Sequence, residues 1–146
     1  MKLKVLNEMK LSFFSHSANE GFARVTASAF FAEVDPTVEE ISDVKTAVSE
    51  AVTNCIVHGY RDNIGKIEII ARILEGNIAY IKIKDTGCGI SDIKKAMEPM
   101  YTTDTTNERA GLGFAVMSSF MDYLRVYSKP ERGTTVVMKK KFFGKE

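Results

Sequence analysis

The chain has no tryptophan, and only two cysteines, two histidines and three prolines among its 146 residues. Cys55 and Cys88 are too few for a disulfide framework and lack the paired spacing of a zinc site, so they read as cytosolic thiols. Pro36, Pro99 and Pro130 punctuate elements and build no linker. No run of 18 apolar residues spans a bilayer, and MKLKVLNEMK meets polar residues too early for an export signal. Nor is there an excess of either charge: 20 Lys+Arg stand against 19 Asp+Glu, a formal +1, which gives no global attraction to nucleic acid or anionic membrane. What is present is 45% hydrophobic material, enough for one core. The expectation is a single cytoplasmic domain spanning 1–146.

Periodicity predicts a strand at 7–15, a helix from Asn19 to Val34 carrying Phe22, Val25, Ala29 and Phe30 on one face, and a helix from Thr37 to His58. Thr37 and Glu40 form a capping box, and Gly59 suits the C′ position. Strands at 66–74 and 77–85 flank Glu75-Gly76, a helix covers 112–121, and a second hairpin turns at 130–133. The order β-α-α-β-β-α-β-β predicts an α+β two-layer sandwich, a mixed but mainly antiparallel sheet with helices on one face.

Three segments carry chemistry. On the second helix, Ile41, Val44, Val48, Val52 and Cys55 form the core stripe. The opposite side has one charge, Glu50, among small or uncharged neighbours, and Glu50, Asn54 and His58 follow at i, i+4 and i+8. Such a surface suits a docked ligand, although a helix packed between the sheet and another helix accounts for it too. Asp85-Thr86-Gly87-Cys88-Gly89 ends a β-branched strand with an acceptor and two glycines that admit close approach. Ala110-Gly111-Leu112-Gly113-Phe114 opens a helix whose free N–H groups suit phosphate, with Arg109 just before it. The polar stretch 97–110 between the loops has the character of a lid. Neither a Walker A loop nor GxGxxG occurs.

In this order, SEAVTNCIVHGY, DTGCG, AGLGF and Gly133-Thr134-Thr135 resemble the N-box, the two glycine boxes and the terminal G-T element of the GHKL family of ATPases and kinases, whose fold is the Bergerat ATP-binding fold. The resemblance covers about Met9 to Phe143. NEGFARVTASAFFAEVDPTVEE and KTAVSEAVTNCIVHGY further resemble the sporulation anti-sigma factors of the sigma-F type, which are serine-protein kinases.

The resemblance implies ATP/ADP and Mg2+ as cofactors. Glu50 is then the general base, Asn54 the magnesium ligand, and Asp85 the acceptor for the adenine amino group, with Gly87 and Gly89 making room for the base. Thr135 supports the adenine, Gly111 and Gly113 present amides to the phosphates, Arg109 contacts the γ-phosphate, and Arg24 binds a partner. The implied partners are an RNA-polymerase sigma factor and an anti-anti-sigma protein phosphorylated on serine. A homodimer is also implied, to which Leu11, Phe13 and Phe14 at the first strand are suited if they are not ordinary sheet packing. Asp104, Thr105 and Ala110 depart from the family pattern in the lid.

Overall fold

The computed structural model describes residues 2–90 and 113–144. Arg109, Gly111 and the lid stretch 97–110 therefore lie outside the described residues. The chain runs β1 (Val5–Phe14), α1 (Asn19–Phe31) with a 3-10 turn at Ala32–Val34, α2 (Val38–Asn54), a π-helical segment Cys55–Tyr60, β2 (Lys66–Leu74), β3 (Ile78–Asp85), α3 (Gly113–Phe120), β4 (Tyr123–Lys129) and β5 (Gly133–Lys141).

The sheet has the order β1-β2-β3-β5-β4, and all its pairings are antiparallel, so the mixed sheet expected from the sequence is not formed. The reason lies in the connections. Ser15 N donates to Gly65 O at 2.8 Å, so the two helices return the chain to the end of the sheet where β1 stopped. Between β2 and β3 the chain reverses through Gly76 (φ +84°) and Asn77 (φ +59°), the left-handed pair of a tight hairpin.

Because strand side chains alternate, the register sorts the sheet into rows. Two rows facing the helices are apolar: Met9–Ala71–Ile81–Met138–Leu124 and Leu11–Ile69–Ile83–Val136–Val126. The next row, Phe13–Ile67–Asp85–Thr134–Ser128, turns polar after its second strand. That row marks the polar end of the inward face.

On α2 the core stripe matches the sequence reading: Val44, Val48, Val52 and Cys55 are buried. Ala47 and Ala51 are buried as well, since α1 and α3 pack against α2 on either flank. Part of the helix's unusual second face is thus helix packing. The capping box is formed, with Glu40 N donating to Thr37 Oγ1 at 3.0 Å and Thr37 N to Glu40 Oε1 at 2.8 Å. Glu40 also accepts from Phe143 N (2.7 Å) and Gly144 N (3.2 Å), tying the tail to the start of α2.

The apolar face assigned to α1 is not its buried one. Ala23, Ala27 and Phe31 are fully buried, at i, i+4 and i+8, while Phe22 and Val25 are more than half exposed. The small alanines let α1 sit close to its neighbours, and Phe31 closes the core edge-to-face on Phe142 at 6.2 Å. On β1, Leu11 and Phe13 are partly buried against the core, which is ordinary sheet packing; Phe14 is exposed on the other face.

Candidate nucleotide site

Asp85, the last residue of β3, is a carboxylate only 3% exposed at the polar end of the inward face. Its Oδ1 accepts from Gly87 N at 2.9 Å and Thr134 N at 3.3 Å, and the buried Cys55 thiol also donates to the carboxylate. Burial pushes the Asp85 carboxyl above its ordinary value, partly offset by these donors. Burial, together with the neighbouring Asp85 charge, keeps the Cys55 thiol protonated, its value raised well above the ordinary one.

Two glycines bring α2's extension onto this carboxylate. A Cβ on Gly59 would stand 2.9 Å from Asp85 Oδ2, and one on Gly87 would collide with the Gly59 carbonyl. The expectation that Gly59 caps the helix is therefore corrected. Gly59 lies inside the π-helical segment, and the residue of positive φ beyond it is Arg61 (φ +55°). His58 falls in the same π-helical segment, one residue before Gly59.

The loop after Asp85 is held from several elements. Thr86 N donates to Tyr60 Oη at 2.8 Å, and that hydroxyl donates to Lys66 O at 2.5 Å. Cys88 N donates to Gly59 O at 2.8 Å, and Ile90 N to Ser128 Oγ at 2.7 Å. Ser128 Oγ lies 2.9 Å from Thr134 Oγ1. Gly89, at φ +74°, passes against the Lys129 carbonyl where no side chain fits.

Asn54, the last residue of α2, sets its carboxamide against the first residue of α3: a Cβ on Gly113 would stand 2.9 Å from both its oxygen and its nitrogen. Glu50 is half-buried one turn earlier on the same side of α2. Glu50, Asn54, Asp85, Gly87, Gly89 and Gly113 thus gather at one end of the sandwich. Two residues singled out from the sequence do not join them. Thr135 pairs with Lys84 and Tyr127 and therefore points to the opposite face of the sheet, while Thr134, its neighbour, stands beside Asp85. Arg24 lies on α1, ion-paired at 3.4 Å with Glu20 one turn earlier and next to the exposed Phe22 and Val25.

Sequence reasoning passed over Tyr60, Ser128 and the second role of Gly59, and within Gly133-Thr134-Thr135 it chose Thr135 over Thr134. Alternation counted back from Asp85 through the β3–β5 register would have chosen Thr134, but that register is a tertiary fact.

Residues 16–140 match the histidine kinase-like ATPase domain. The chain is 54% identical over 136 residues to the anti-sigma F factor of Clostridium perfringens, covering 92% of this chain and 96% of that one. The chain belongs to this family, in its anti-sigma F branch. The anti-sigma F factors of a Thermoanaerobacter species (55% over 138 residues, 94% and 96% covered) and of Clostridium botulinum (57% over 137 residues, 93% and 95% covered) are similar in the same way. Among solved structures, the RsbU and RsbW domains of a Mycobacterium tuberculosis protein superpose with a TM-score of 0.68 at 17% identity, over 93% of this chain and 32% of that one. The histidine kinase domain of Erythrobacter litoralis EL346 superposes at 0.55, with 17% identity, over 84% and 61%. At that identity the structures speak for the ATPase fold alone. Among the described residues, no helix of this anti-sigma F family member is long and apolar enough to cross a membrane.

Proposed function

We propose that this chain is an anti-sigma factor and ATP-dependent serine kinase. It binds and inhibits a sigma factor of the sigma-F type, and it phosphorylates that factor's anti-anti-sigma antagonist on serine. The single observation that carries the reading is the convergence of Asp85, Asn54 and Gly113 from three different elements on one end of the sheet.

In this reading Asp85 accepts a hydrogen bond from the exocyclic amino group of adenine, and the side-chain-free surface of Gly59 and Gly87 beside it leaves room for the base. Thr134 and Ser128, on the same row, replace Thr135 as the hydroxyls nearest the base. Asn54 offers one carboxamide oxygen, and no group of three or more His, Cys, Asp or Glu fit to hold a metal occurs among the described residues. That donor set fits Mg2+, which keeps several waters and is completed by phosphate oxygens. When bound, Mg·ATP supplies the phosphoryl group and neutralises the charge of its transfer. Glu50 receives the proton of the substrate serine hydroxyl, Gly113 offers its amide at the start of α3, and Arg109 and Gly111 complete the phosphate contacts. Arg24 with Phe22 and Val25 forms the partner-facing patch on α1, and the chain works as a cytoplasmic homodimer of single-domain subunits.

Incubating the protein with Mg·ATP and the cognate antagonist, read by intact mass, tests the reading. A phosphoserine is expected on the antagonist. Glu50→Gln is expected to slow its formation by about 10²–10⁴-fold while ATP affinity is kept. An antagonist left unmodified by a wild-type protein that binds ATP would exclude the kinase assignment, and no ATP binding would exclude the site itself.

A further inference from the structure

The formal charge of +1 averages over two unlike layers. The face of the sheet turned away from the helices carries nine lysines and arginines against two glutamates, Glu8 and Glu68, so that face alone holds +7 and the rest of the chain sums to −6. No described helix packs on it. Its register makes an ordered pattern. One row runs Arg72–Tyr80–Lys139–Tyr123 across four neighbouring strands, cation and aromatic ring alternating at the strand spacing of about 4.8 Å. The row beside it places Lys10, Lys82 and Arg125 on every second strand. The cations lie over the rings: Arg72 is 5.3 Å from the Tyr80 centroid, and Lys139 and Arg125 are 4.6 and 5.8 Å from that of Tyr123. Tyr127, one step further along β4, is 56% exposed.

We propose that this open face binds single-stranded nucleic acid, with phosphates on the lysines and bases stacked on the tyrosine rings and guanidinium planes. Rings interleaved with cations on a sheet are what unpaired bases recognise. An acidic polypeptide or an anionic membrane would satisfy the lysines but make no use of the alternation. A duplex fits worse: five strands span about 19 Å, wider than the roughly 12 Å major groove, so its bases would stay out of reach. The proposal is independent of the nucleotide site, which opens on the other side of the sheet.

The test is fluorescence anisotropy of a labelled oligothymidylate of about 15 nucleotides, titrated with the full chain at about 50 and 200 mM salt. With four phosphates engaged, affinity falls about 50-fold between the two salts. Lys82→Glu with Lys139→Glu weakens binding at least about tenfold. Tyr80→Ala with Tyr123→Ala weakens it about 30-fold or more and leaves the salt slope unchanged. A cooperative urea transition like that of the wild type shows that each variant is folded, and Tyr127→Ala, at an exposed edge position, serves if the double tyrosine variant does not fold. The proposal is overturned by no anisotropy change at the lower salt, or by folded tyrosine variants that bind like the wild type. It is equally overturned if a duplex, polyglutamate or anionic vesicles displace the oligonucleotide at equal charge.

Discussion

At the scale of single residues the decisive group is Asp85. Burial raises its carboxyl above the ordinary range, and this has two opposite consequences. The folded state holds the proton more tightly than the unfolded chain, so Asp85's contribution to stability declines as pH rises through the window above its unfolded value. In the proposed reading nucleotide affinity runs the other way, because the ionised carboxylate is the better acceptor for the adenine amino group. Calorimetric titration with ATP across acid to neutral pH should therefore show affinity falling on acidification, beginning above the ordinary carboxylate range. Asp85→Asn should flatten that limb and cost about 1–3 kcal/mol of affinity at neutral pH. Asp85 was legible in the sequence because it ends a β-branched run and is followed by alternate glycines. Thr135 was misplaced because two adjacent threonines look alike until the pairing of Thr134 with Asp85 decides which one faces inward.

Among elements, the π-helical segment Cys55–Tyr60 does the most to shape the site. It carries Gly59 against the Asp85 carboxylate and delivers Tyr60 Oη to the Thr86 amide. Tyr60→Phe removes that acceptor and leaves the amide unpaired. Urea unfolding should register a loss of about 1–3 kcal/mol, and ATP affinity should weaken because the loop loses its anchor. A stability loss without any change in ATP affinity would mean that Tyr60 holds the fold and not the site. The α2 capping box and core stripe were readable, since both depend on spacing within one segment. The π turn was not: nothing in NCIVHGY distinguishes it from a regular last turn, and the contact with β3 that accompanies it is long-range. On α1 the sequence pattern favoured the large residues, while the core took Ala23, Ala27 and Phe31, because close helix packing selects small side chains.

On the scale of the whole molecule, the described residues form a single layer of helices on one face of a five-stranded sheet. Phe31 and Phe142 close that core from the two ends of the chain, both nearly or fully buried. Phe31→Ala should destabilise the protein by about 3–5 kcal/mol, measured by denaturant unfolding, through lost burial and the cavity left beside Phe142. The sequence by itself determined most of the elements, their α+β class, the α2 capping box and the chemical boxes, because hydrophobic period, turn chemistry and short motifs are encoded locally. Only the tertiary structure decided that the sheet is wholly antiparallel, that Thr134 stands by Asp85, and that a nearly neutral chain presents one strongly basic face. Each of these depends on strand register, which places residues from distant segments side by side and which no local pattern specifies.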